Sequence, residues 1–135
     1  MREALKYSSF LPAVRVLTQI TPQVGFNYLL KMGLSSLVSP KDAINGNHDV
    51  VQSLALGGLT LGVYNIDMTS AYSAIANGGV RITPVYYTQV TDREGNVILD
   101  NTTPEKTTIF KKDTAWLLTS ALGSVVNDTG GTGGA

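Results

Sequence analysis

Ser8-Ser9-Phe10-Leu11-Pro12-Ala13-Val14 is the short run of this chain that comes nearest to chemistry. Its serines interrupt two stretches of helical pattern. A hydroxyl both donates and accepts a hydrogen bond, the minimum for handling a proton. The commoner use of serine at such a break is to make a turn, so residue type alone leaves both uses open. His48-Asp49 has the residue types of a metal site or a triad. It contains the chain's single histidine, however, and no G-x-S-x-G elbow accompanies it, which favours a loop histidine and implies no metal. Lys106-Thr107-Thr108 lies in a polar connection from Asn101 to Thr108 and reads as solvated loop. The Gly-rich end, Thr129 to Ala135, lacks the preceding strand, the following helix and the lysine of a phosphate cradle, and reads as a flexible loop.

The elements that must position these residues are mostly helical. Met1 to Tyr7 reads as the end of a helix. Pro12 suits the first position of a second one, where its missing N–H matters little, with Ala13, Val14, Val16, Leu17 and Ile20 apolar. Thr21-Pro22 opens a third, Thr as cap and Pro at the first position, and Gly33 stops it. Ser35 to Asp49 is a long loop, expected to be either functional or tied into a larger body. The stretch from Ser53 to Gly79 organises the chain. An apolar run punctuated by Gly57, Gly58 and Gly62 leads into a strongly amphipathic helix over Ile66 to Ala76. Met68, Ala71, Tyr72 and Ile75 share one face of that helix. Asn65 is a good N-cap and Tyr64 a poor one, which starts the helix after Asn65. Asn77-Gly78-Gly79 ends it, since glycine tolerates the left-handed backbone of a helix C-terminus.

Val85 to Val90 is Val/Tyr/Thr-rich and reads as a strand. Asp92-Arg93-Glu94-Gly95 turns the chain and Val97 to Leu99 returns it. A last helix covers Lys112 to Val126, with Ala115, Leu118, Leu122 and Val125 on one face and Trp116 packed at its edge. A lone hairpin wants more sheet. The expectation is therefore an α+β fold, mostly helical with one β-hairpin, forming part of a larger domain.

Composition narrows the function classes. With 135 residues the chain holds one small domain. Ten basic residues balance ten acidic ones, so there is no broad basic field and nucleic acid is not an expected partner. The absence of cysteine excludes disulfides and thiolate metal or redox chemistry. No apolar run approaches the roughly 20 residues that span a bilayer, and the charged start, MREALKYSSF, is no signal peptide.

Two patterns carry a resemblance. A-L-G-G-L-T-x-G-V from Ala55 to Val63, then a helix, then A-Y-x-A-x-A-N-G-G from Ala71 to Gly79, resembles the second half of the transpeptidase domain of class A, bifunctional penicillin-binding proteins. Tyr64-Asn65 replaces that family's usual Thr-Pro. Ser8 to Val14 is similar to the family's S-x-N-x-P-A-V. On that match Ser8 is the second-motif serine, with a proton-relay role. Phe10 stands at the family's substrate-binding asparagine and has no amide to offer. No serine is followed three residues later by lysine, and no K-T-G is present. Val125-Val126-Asn127 with the Gly-rich end resembles the run leading to the K-T-G strand. The resemblance thus implies a partial transpeptidase domain over 1–135, with the S-x-x-K segment expected before Met1 and the K-T-G strand after Ala135.

What the resemblance implies for function is a peptidoglycan D,D-transpeptidase that cross-links stem peptides through a serine acyl-enzyme and is acylated by β-lactams, without metal or organic cofactor. The implied partners are stem peptides, β-lactams and the rest of the parent domain. The implied location is outside the cytoplasm, anchored to the bacterial cell membrane. The 135 residues alone are expected to be inactive, since acyl transfer needs a nucleophile and an oxyanion hole held together. The alternative is a non-catalytic pseudo-transpeptidase, a binding or structural module, which Phe10 favours.

Overall fold

Turns with left-handed backbone separate most of the helices in the computed structural model, which describes residues 1–134. Helix α1 (Arg2–Lys6) ends in a tight turn at Ser8, and α2 (Phe10–Ile20) follows. Pro12 is the third residue of α2 rather than the first. The whole first turn tolerates it, because none of those N–H groups has an intrahelical partner. Helix α3 (Pro22–Lys31) begins where Thr21-Pro22 predicts. Thr21 makes no side-chain cap bond, however. Its backbone, at φ 76° and ψ 145°, departs from the extended geometry that aims a cap hydroxyl at the first turn.

The connection after α3 is tied down by bonds within the chain. Two short 3₁₀ turns, Pro40–Asp42 and Gln52–Leu56, fold it. Asp49, 1% exposed, is its fastening. One carboxylate oxygen accepts the Val38 N–H at 2.7 Å, and the other accepts the Thr60 N–H and hydroxyl, each at 2.7 Å. Burial pushes this carboxyl up. The bonds from Val38 and Thr60 and the charge of His48 outweigh that effect and hold it below its ordinary range. Leu17 of α2, Phe26 of α3 and Leu54 form one core cluster beside this loop.

Helix α4 (Asn65–Ala76) starts at Asn65 rather than after it, with Tyr64 at the cap position making no side-chain bond. Its amphipathicity is weaker than the apolar spacing suggests, because the buried residues are the small Ser70, Ala71 and Ala74, while Tyr72 is exposed. Met68, Ala71, Tyr72 and Ile75 do share a face, which lines an apolar cavity of about 350 Å³ with Leu118 and Leu122. Those two leucines lie on the last helix, α5 (Lys112–Asn127), which packs against both α4 and α1. Trp116 of α5 is 67% exposed and does not pack at the helix edge. Asp67, in the first turn of α4, accepts the Ser35 hydroxyl at 2.6 Å and the Ser35 N–H at 2.9 Å, and these bonds hold its carboxyl low.

The β-structure exceeds the one expected hairpin. Strands β2 (Gln89–Thr91) and β3 (Val97–Asp100) form that hairpin, shorter at its start than Val85. Outside it, β1 (Val80–Ile82) pairs antiparallel with β4 (Lys106–Thr108), Val80 opposite Thr108 and Ile82 opposite Lys106. Lys106-Thr107-Thr108 is thus strand, not solvated loop; its two β-branched threonines suit a pleated ladder once β1 supplies the edge. The Gly79 carbonyl accepts the N–H groups of Ile109 and Phe110 at 2.8 and 3.2 Å, closing this ladder. Among the described residues the architecture is α+β, five α-helices with two small antiparallel sheets. Among the described residues no helix is long and apolar enough to cross a membrane.

Candidate functional site around Ser8

The turn that carries Ser8 is dictated by the end of α1. The Ser9 N–H bonds to the Ala4 carbonyl at 2.8 Å and the Ser8 N–H to the Leu5 carbonyl at 3.1 Å. These paired bonds make a Schellman stop, with Ser8 at the position that glycine usually fills. Ser8 is left-handed, at φ 50°. For a residue with a Cβ that conformation costs about 1–2 kcal/mol. Glycine would form this turn more cheaply, so the turn alone does not account for a serine here.

The Ser8 hydroxyl has a partner from the far end of the chain. Its Oγ lies 3.1 Å from Thr132 Oγ1, across 124 residues of sequence. Thr132 in turn donates its hydroxyl to the Lys6 carbonyl at 3.3 Å and its N–H to the same carbonyl at 3.2 Å. The segment after α5 therefore folds back onto the α1–α2 junction instead of hanging free. Gly131 donates to Asp128 O at 2.9 Å and Gly133 to Val125 O at 2.9 Å. A Cβ on Gly131 would collide with the Val125 carbonyl, so the return needs glycine there. Ala135 lies outside the described residues. Arg2 bonds the Ser120 hydroxyl at 2.8 Å, holding α1 on α5. Lys6 is buried, its ammonium 5.1 Å from the centre of the Tyr7 ring.

Phe10, two residues beyond Ser8, opens α2 and is 70% exposed. With Ser8, Leu5, Ala13 and Leu56 it lines an open cavity of about 310 Å³ beside the turn. The ring presents carbon where an amide would present a donor and an acceptor. His48 donates no triad: its Nδ1 accepts the Val50 N–H at 3.2 Å, and its neighbour Asp49 is consumed by Val38 and Thr60. Among the described residues no group of three or more His, Cys, Asp or Glu is placed to hold a metal ion.

The structure thus keeps Ser8 and Phe10 together on one turn and adds Thr132 to them. Sequence reasoning singled out the Gly-rich end as a motif but not its threonine as a partner. The glycines flanking Thr132 were the available signal, since close backbone approach is what they permit.

The family model described as penicillin binding protein transpeptidase domain matches residues 1–135. Penicillin-binding protein 1A of Clostridium perfringens is 33% identical over 124 residues, 87% of this chain and 17% of that protein. Penicillin-binding protein 1F of Bacillus subtilis is 31% identical over 134 residues, 99% of this chain and 17% of that protein. The chain therefore spans under a fifth of the length of either relative. Among solved structures, penicillin binding protein 3 of Mycobacterium tuberculosis, in complex with aztreonam, has a TM-score of 0.76 at 23% identity. The match covers 96% of this chain and 31% of that one, a likeness of fold.

Proposed function

This chain belongs to the penicillin-binding protein transpeptidase family, and we propose that within a peptidoglycan D,D-transpeptidase it contributes Ser8 as the proton-relay hydroxyl. In this reading the serine of an S-x-x-K segment, elsewhere in the whole protein, attacks the carbonyl of a D-Ala-D-Ala bond in a stem peptide. An ester forms to the serine and the C–N bond breaks. Ser8 gives its own proton to the departing nitrogen and takes in its place the proton released by the nucleophile. An amine of a neighbouring stem peptide then receives the acyl group as the same steps run in reverse. A β-lactam acylates the same serine, its ring nitrogen taking the proton. The scheme uses no metal or organic cofactor. The whole protein would act outside the cytoplasm, anchored to the bacterial cell membrane, and the chain's immediate partner would be the rest of its own domain.

The observation that supports this role is the backbone of Ser8. A left-handed serine occupies a stop where glycine would serve the fold better, and such outliers gather where function holds them. Ser8→Gly in the whole protein tests the reading. Relief of the left-handed conformation offsets the lost Thr132 bond, so stability should stay within about 1 kcal/mol. Acylation by labelled penicillin should fall by roughly 100-fold. An unchanged acylation rate would refute the relay role.

Phe10 favours a second reading, a pseudo-transpeptidase that binds peptide or partner without chemistry. Phe10→Asn in the whole protein separates the two. A large gain in acylation means that the phenylalanine impairs the site. If acylation is slow in both proteins, the binding-module reading stands; if it is fast in both, the site tolerates Phe10.

A further inference from the structure

We propose that Thr132 is a positioning residue that sets the direction of the Ser8 proton. The inference rests on the relay reading of Ser8 and adds a second residue to it. A serine hydroxyl has one proton and turns among staggered positions unless an acceptor holds it. Here, among the described residues, the only side-chain oxygen bonded to Ser8 is Thr132 Oγ1, at 3.1 Å.

The Lys6 carbonyl makes that contact directional. A carbonyl can only accept. When the single Thr132 proton goes to Lys6 O, at 3.3 Å, the Ser8 hydroxyl must donate to Thr132. The lone pairs of Ser8 Oγ are then left free to take a proton. When Thr132 rotates and donates to Ser8 instead, the Ser8 proton is released to point away, ready for the leaving nitrogen. The two arrangements differ only by the long Thr132–Lys6 bond, so they lie close in energy and a small rotation exchanges them. Thr132 is thereby a two-position partner that lets one hydroxyl accept in one half of the relay and donate in the other. No heavy atom needs to move.

The backbone around Thr132 is anchored independently of its hydroxyl. Its N–H bonds to Lys6 O at 3.2 Å, and Gly131 and Gly133 are each bonded to the end of α5. The hydroxyl can therefore be removed without releasing the loop. Thr132→Val in the whole protein deletes it at nearly constant volume, and Thr132→Ser retains it.

The readout is penicillin acylation, separated into affinity for the unreacted drug and the rate of the acylation step. T132V should slow that step by roughly 10-fold, the rate equivalent of one neutral hydrogen bond, with affinity unchanged. T132S should restore it to within about twofold, a rescue that packing alone would not produce. Should T132V fail to fold, T132A removes the same hydroxyl without the branched bulk and carries the same expectation. Ser8→Ala is measured alongside. If S8A is slow and T132V keeps the parental rate, the Thr132 role is overturned and the Ser8 reading survives. If S8A keeps the parental rate, both are overturned. If T132V and T132S are equally slow, the loss is one of packing and the positioning role is overturned.

Discussion

Asp49→Ala should be among the most destabilising single substitutions in this chain, and the reason lies in burial rather than in bond count. The carboxylate is 1% exposed and accepts three bonds, from the Val38 N–H, the Thr60 N–H and the Thr60 hydroxyl, all at 2.7 Å. Removing it leaves two main-chain donors without partners in a loop that encloses them, at about 1–3 kcal/mol each, so a loss of about 2–6 kcal/mol is expected. The Thr60 hydroxyl can rotate to another acceptor and adds little. Asp49→Asn should recover only part of the loss, because its amide has one acceptor and turns donors toward a donor.

Asp92 provides the control. It also accepts three bonds, from Glu94 N, Asn96 N and Asn96 Nδ2, at 2.8 to 2.9 Å, but in an exposed turn. Water replaces it there, so Asp92→Ala should destabilise far less. The assay is urea unfolding of both variants, joined to amide hydrogen exchange at Val38 and Thr60. Faster exchange at those two amides with parental exchange in α5 would localise the effect. If the two variants lose equal stability, or D49A loses less than about 1 kcal/mol, burial is not the deciding quantity and the reasoning fails.

Three further outcomes are expected. Asp49 and Asp67 both titrate below their ordinary value of 3.8, so each stabilises the fold above that pH and loses its contribution as pH falls through the lower, folded value. The unfolding midpoint in urea should show no slope from these groups above about pH 5 and should drop below about pH 4, and D49A and D67A should each flatten that drop. Gly79→Ala should destabilise by more than about 1 kcal/mol, read by thermal unfolding, because Gly79 sits at φ 92° and a Cβ would strike the Phe110 carbonyl. The 135 residues alone, treated with penicillin, should give no covalent adduct by intact-mass spectrometry; a stable penicilloyl adduct would mean that a nucleophile and oxyanion hole exist within them.

Local chemistry made much of this molecule legible in advance. Pro22 and Gly33 bracket α3, Gly78 and Gly79 follow α4, and apolar spacing carries α5 to its end, because helix periodicity and helix stops are written within a few residues of one another. The break at Ser8 was legible for the same reason, and the S-x-x-x-P-A-V run marked it as a candidate site. The first turn of α4 misled because Asn65 has a stronger cap preference than Tyr64 but sits inside the helix, bonding Thr69 instead. Trp116 misled because size suggests burial, whereas α5 turns its small residues, Ala115 and Ser124, inward.

Tertiary structure alone decided the rest. Lys106-Thr107-Thr108 is strand only because β1 lies beside it, 24 to 28 residues away by register. Asp49 is an ordinary loop acid until Val38 and Thr60 close over it. Ser8 meets Thr132 across 124 residues. No local preference encodes these pairings, since each exists only when two distant segments are brought together, and the enthalpy of the bond they make is released only there. The sequence by itself determined which residues had the chemistry and where the helices holding them stop. The packing of α1 on α5 decided which of those residues face one another.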